Sequence, residues 1–214
     1  MDGFLEGALL KLSIMALPFL LAVTLHEAGH AVSAYFLGDP TAKNLGRLSL
    51  NPGKHIDPVG TVFIPLLAVF ANIPFLIGYA KPVPIDPRYF KNKTRDNIIV
   101  SLAGPMGNFI VALFCGFVLR LALGFGFDGQ SWLVNTMYVG VYLNAVFMVF
   151  NLLPIPPLDG SHVLKEFLPY EAAVKYESVA PFGFFILMGV IILIPGVITI
   201  PSAFVTGLVL NIVG

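Results

Sequence analysis

Apolar residues gather in long blocks, and polar residues fall into the gaps between them. Residues 12–37, 97–123 and 131–153 are each apolar for longer than the roughly 20 residues that carry a helix across a bilayer core. Each block ends in breakers: Gly38-Asp39-Pro40 after the first, a short turn at 124–130 after the second, and Pro154, Pro156 and Pro157 after the third. The pattern predicts three spanning helices. A fourth block, 59–80, is interrupted by Pro65 and Pro74. Its length just allows one span, but its prolines also suit a re-entrant path that enters and leaves on one side, buried against protein. A last block, 181–214, is broken at Pro195-Gly196 and Pro201. It reads either as one span with an interfacial helix or as a tight hairpin, and the pattern leaves both open.

The gaps are less regular. Residues 1–11 are a mixed lead-in. Residues 41–57 are polar around the turn signal Asn51-Pro52-Gly53, with short β strands expected beside it, for example over 44–50. The prolines at 154–157 force extended backbone, and a new helix is expected to begin near 160–163. Residues 165–177 read as an amphipathic helix in the cytoplasm or at the interface. The expected fold is an all-α polytopic membrane protein: a helical bundle with a three-helix core, a re-entrant segment and short strands after the first helix.

Composition agrees. Of 214 residues, 57% are hydrophobic and 11% charged, against about 25% charged in soluble domains. The chain is short for a polytopic protein, so one domain over 1–214 with no soluble module is expected. Zero net charge argues against nucleic acid as a partner. The lone Cys115 excludes an internal disulfide and a cysteine-rich zinc site. No cleavable signal is expected, because the N-terminus is acidic and the first block carries the motif described next. Charge also bears on the fourth block. A re-entrant path places Lys43, Arg47, Lys54, Lys81, Arg88, Lys91, Lys93 and Arg95 on one face, eight of the twelve lysines and arginines. By the positive-inside rule that face is cytoplasmic. A spanning path splits the same charges three against five, so the re-entrant path is preferred.

The chemistry lies in His26-Glu27-Ala28-Gly29-His30, inside the first block. Four residues of helix bring the imidazoles to one face, about 40° apart around the axis. Two histidines so placed can hold one ion, and the intervening glutamate can reach water beside it. This is the HExxH pattern of zinc peptidases. Within an apolar span it is a stronger signal than elsewhere, since each ionisable group there costs roughly 2–3 kcal/mol or more to insert. A catalytic zinc commonly takes a third protein ligand. Asp159 is the best candidate: it ends a membrane segment in irregular backbone, next to Gly160. His162 is the rival, and His55 reads as an ordinary loop histidine.

The HEAGH segment, Ser101-Leu102-Ala103-Gly104-Pro105-Met106-Gly107-Asn108 and Asn151-Leu152-Leu153-Pro154-Ile155-Pro156-Pro157-Leu158-Asp159-Gly160 fall in this order on three apolar blocks. Together they resemble the site-2 protease family of intramembrane zinc metalloproteases, in its small form without PDZ or CBS domains, over a core of roughly residues 12–168. The resemblance implies Zn2+ on His26, His30 and Asp159, with Glu27 as general base. It implies that Asn151, and less directly Pro154 and Pro156, hold substrate as an extended strand. For Asn108, helix packing is as good a reading as any role at the site. Antiparallel packing of the first two helices in that family again favours a re-entrant 59–80.

The expected activity is zinc-dependent endoproteolysis in or near transmembrane helices of membrane-protein substrates, of the regulated intramembrane type. The expected location is a prokaryotic cell membrane, multi-pass, with the site toward the cytoplasm. The competing reading is an inactive zinc-binding membrane protein acting as chaperone or zinc carrier. Substrate identity, trigger and oligomeric state are not written in the sequence.

Overall fold

The computed structural model describes residues 2–71 and 78–214. Among the described residues, nine α-helices follow one another: α1 Asp2–Phe36, α2 Thr41–Asn44, α3 Ile64–Phe70, α4 Lys93–Gly124, α5 Trp132–Asn151, α6 Asp159–Lys165, α7 Tyr170–Glu177, α8 Gly183–Leu193 and α9 Gly196–Val213. Five stretches of the described residues are long and apolar enough to cross a membrane: α1, α4, α5, α9 and the run Tyr170–Leu193 that joins α7 to α8. The chain is an integral membrane protein.

The bundle is built on α1, α4 and α5. Helices α1 and α4 run in opposite directions, since His26 meets Asn108 while His30, one turn on, meets Val100. Helix α5 runs with α1: Trp132 at its start donates to Ser13, and Phe147 near its end packs on Phe19. Lipid tails are as apolar as leucine, so what selects the contact faces is small side chains that let backbones approach. A Cβ on Gly29 would lie 2.4 Å from the Ala103 carbonyl oxygen, and one on Gly107 would lie 2.4 Å from that of Leu25. Val209 of α9 closes the far half of the bundle against Val111, Cys115, Leu119 and Val141.

Helix ends follow local chemistry. Gly38, at φ 108°, lets the Asp39 N–H turn back to the Ala34 carbonyl and stops α1. The Asn92 and Ser131 side chains cap α4 and α5. Residues 2–11, expected as a lead-in, instead belong to α1, because nothing between Gly3 and Leu12 terminates a helix. Pro201, expected as a break, does not end α9, whereas the break expected at Pro195-Gly196 is found, with Pro195 between α8 and α9.

The expected strands are absent among the described residues. Over 44–50 the backbone donors bond locally: Leu45 to Thr41, Gly46 to Lys43 and Arg47 to Ala42. A strand needs those groups for a neighbour. Gly46, at φ 65°, completes the turn.

The fourth block enters and returns. The Pro58–Phe70 helix rises about 20 Å at 1.5 Å per residue, short of the ~30 Å core. On return, Tyr79 N–H donates to the Gly60 carbonyl and Lys81 N–H to that of His55, so the segment comes back to where it began. Residues 72–77, with Pro74, lie outside the described residues. Arg47 ties the exit down by donating to the Lys81 carbonyl.

Candidate metal centre

Three chain segments meet at one end of the bundle. Helix α1 brings His26, Glu27 and His30. Helix α4 lies behind them, with Gly104 directly under the imidazoles: a Cβ there would fall 2.3 Å from His30 Nε2 and 2.8 Å from His26 Cε1. Only a residue without a side chain fits. The third segment is 151–160. After α5 the chain doubles back so tightly that a Cβ on Gly160 would meet the Leu152 carbonyl oxygen at 2.2 Å. This fold-back, which includes a cis bond between Pro156 and Pro157, delivers Asp159 to the histidines at the first turn of α6.

The geometry suits a shared cation. His26 Nε2 and His30 Nε2 are 3.1 Å apart; Asp159 Oδ2 is 3.2 Å from the first and Asp159 Oδ1 is 3.3 Å from the second. Ligands at zinc distances of about 2.0–2.1 Å in a tetrahedron stand about 3.3 Å from one another. Both imidazoles are held from behind. His26 Nδ1 donates to Asn108 Oδ1 at 2.8 Å and His30 Nδ1 to the Val100 carbonyl at 2.7 Å. Each Nδ1 therefore carries the proton, and each Nε2 turns a lone pair toward the other and toward the carboxylate. Three electron-rich atoms pointed at one space repel one another unless a cation lies between them. Asp159 Oδ2 is buried with no hydrogen-bond partner. Among the described residues these three form the group able to hold a metal ion; His162 lines the same cavity but stands outside that group.

Glu27 is nearly buried, and its Oε2 accepts from the Val83 N–H at 2.7 Å. It lines a cavity of about 410 Å3 together with the three candidate ligands, Val83, Ile85, Asn151 and Leu158. Asn151 donates to the Phe147 carbonyl of its own helix. Pro154 is exposed and Pro156 buried, and the cavity wall from this stretch is Pro157 and Leu158 instead. His55 is fully buried and meets the Ser49 carbonyl, so it is a structural residue of the loop. Sequence reasoning left Asn108 undecided between packing and the site; the structure gives it both, since it bonds His26 while its amide nitrogen donates to the Ala22 carbonyl. It missed the Val100 and Val83 backbone groups, which have no side-chain signature.

A membrane bundle with an HExxH helix and a remote carboxylate converging on one point defines a membrane-embedded metallopeptidase. The model of Peptidase family M50 matches residues 128–194. YwhC of Bacillus subtilis, named as a candidate zinc metalloprotease, is 36% identical over 192 residues, covering 88% of this chain and 84% of its own. Rip2 of Mycolicibacterium smegmatis, named in the same way, is 33% identical over 178 residues; the match covers 81% of this chain and 64% of Rip2. MJ0611 of Methanocaldococcus jannaschii, also so named, is 40% identical over 70 residues, a third of each chain. No solved structure matches. The chain belongs to peptidase family M50, the site-2 protease family: it is a zinc metalloendopeptidase of the membrane.

Proposed function

We propose that the chain hydrolyses peptide bonds within or next to transmembrane helices of membrane-protein substrates, in the manner of regulated intramembrane proteolysis. In this reading His26, His30 and Asp159 hold the zinc, and Glu27 is the general base. The observation that carries it is the convergence of the three ligand atoms, with Glu27 beside them, on a cavity at one end of the spanning bundle. Zinc, when bound, supplies Lewis-acid polarisation of water and of the scissile carbonyl. The chain's own residues do the rest. Asn108 and the Val100 carbonyl keep both Nε2 atoms bare. Glu27 accepts the proton from water and later returns it to the leaving amine. A helical substrate hides its carbonyls in internal hydrogen bonds, so it must unwind to be cut. Asn151, at the cavity wall, is placed to hold the unwound strand. The extended backbone expected at these prolines is instead a run of turns, with Ile155 N–H donating to Leu153 and Leu158 N–H to Ile155, and Pro154 and Pro156 contribute by shaping that fold-back between Asn151 and Asp159.

The site faces the cytoplasm in this reading. Every lysine and arginine except Lys11 and Arg120 lies at the metal end of the bundle or in the segments attached to it. The positive-inside rule sends that end to the cytoplasm. The test is Glu27→Gln in proteoliposomes carrying a membrane-helix reporter. Cleavage is expected to fall by a factor of about 100 or more, with bound zinc unchanged. Cleavage at the wild-type rate would end the assignment of Glu27.

A further inference from the structure

His30 and His26 are oriented by different means. The acceptor behind His30 is a backbone carbonyl, which cannot be anything else. The acceptor behind His26 is one end of a primary amide, which presents oxygen or nitrogen depending on which way it is turned. If Asn108 turned its nitrogen to the imidazole, His26 would need a bare Nδ1 and would carry its proton on Nε2, where the metal belongs.

Asn108 and Asn144 are 1% and 0% exposed, among the most buried polar side chains of the bundle. Asn144 Nδ2 donates to the Gly140 carbonyl of its own helix at 2.9 Å. That backbone acceptor fixes the amide, so Asn144 Oδ1 is the atom left to face α4. It accepts from Asn108 Nδ2 at 3.2 Å, while the same nitrogen also donates to the Ala22 carbonyl at 3.0 Å. Asn108 Oδ1 is thereby committed to His26. A flipped Asn108 would set its oxygen against two acceptors with no water to relieve them.

We infer that Asn144 is a positioning residue for the zinc site: together with the Ala22 carbonyl it holds the Asn108 amide so that His26 stays in the Nδ1–H form that leaves Nε2 free for the metal. Polarity passes from the Gly140 carbonyl through both amides to the imidazole, across α5, α4 and α1, without Asn144 touching metal or substrate. The inference rests on His26 being a ligand, as proposed above. A pair of asparagines acting only as glue between helices would leave the imidazole's proton position indifferent to Asn144.

The test uses the full chain in detergent, stripped of metal and titrated with Zn2+ against a chelating dye. Outer partners of ligating histidines are worth 10–100-fold in affinity. Asn144→Leu, which removes the acceptor at similar volume, is expected to weaken zinc binding about tenfold. Asn144→Asp, which keeps an acceptor for Asn108, is expected to bind close to wild type. Nitrogen-15 shifts of the four histidines in the metal-free protein report the proton position directly. Wild-type His26 is expected as Nδ1–H, and Asn144→Leu as a mixture. Unchanged zinc affinity in Asn144→Leu, or equal weakening in both variants, overturns the inference. So does an Nε2–H tautomer in the wild type, a measurement that needs no variant to fold. His26→Gln and Asp159→Asn are titrated alongside. Zinc affinity preserved in both sinks the ligand assignment itself, whereas zinc lost in both but kept in Asn144→Leu sinks only the role of Asn144.

Discussion

Gly104 shows how little freedom the centre has. Its missing side chain is what lets the imidazoles lie against α4, and a methyl there would occupy the edge of His30 at 2.3 Å. The imidazole cannot retreat without breaking its bond to the Val100 carbonyl. Gly104→Ala is therefore expected to lower zinc affinity by about a hundredfold while the bundle still inserts; metal content of the purified protein checks it, and stoichiometric zinc would refute it. Which residues were legible at this scale follows from cost. His26, Glu27, His30 and Asp159 stood out because charge in an apolar run is expensive. Asn108 and Asn144 carry no charge and pass as ordinary helix glue, so their chain of bonds appears only once three helices are assembled. Gly104 was visible merely as one small residue among several in Ser101–Asn108.

Helix packing sets the same centre from further out. Helices α1 and α4 touch at Gly29 and Gly107, and the bonds His26–Asn108 and His30–Val100 cross the seam next to those points. Widening the seam stretches both. Gly107→Ala places a Cβ 2.4 Å from the Leu25 carbonyl, and relieving it is expected to cost about 1–3 kcal/mol. Gly124→Ala is the control on the same helix, since nothing lies within 4 Å of the added atom. Thermal melts should separate the two variants, with zinc affinity falling only in Gly107→Ala; coincident melts would show that the seam yields. The spans themselves were readable, because a helix is the structure that satisfies an isolated backbone in lipid. The apolar surround hid which face is buried, since lipid-facing and protein-facing positions are alike hydrophobic. The strands expected near 44–50 failed for a local reason: Gly46 and the short α2 close turns that consume the donors a ladder requires. The lead-in failed for the opposite reason, a helix continuing where nothing stops it.

Across the whole molecule, the path of 58–80 decides how the centre is assembled. Because Tyr79 and Lys81 return to Gly60 and His55, α4 starts on the side where α1 ends, and the two helices can pack antiparallel with the histidines facing the start of α4. A segment that crossed would reverse α4 and carry Val100 and Asn108 away from the imidazoles they orient. The charge pattern depends on the same path, since it brings the basic residues of 41–57 and 81–96 together. The proposed topology can be read chemically. Cys115 is buried in α4 and leaves a quiet background for single added thiols. Lys43→Cys and Lys91→Cys, before and after the re-entrant segment, are expected to react with a membrane-impermeant maleimide in inverted vesicles and not in intact spheroplasts. Gln130→Cys, in the exposed turn between α4 and α5, is expected to react in spheroplasts instead. Labelling of Lys43→Cys and Lys91→Cys from opposite faces would mean that the block crosses the membrane, and the antiparallel seam that holds both imidazoles could not form. Labelling of both from the outer face would preserve the centre and reverse its proposed orientation, placing cleavage on the far side of the membrane from the cytoplasm.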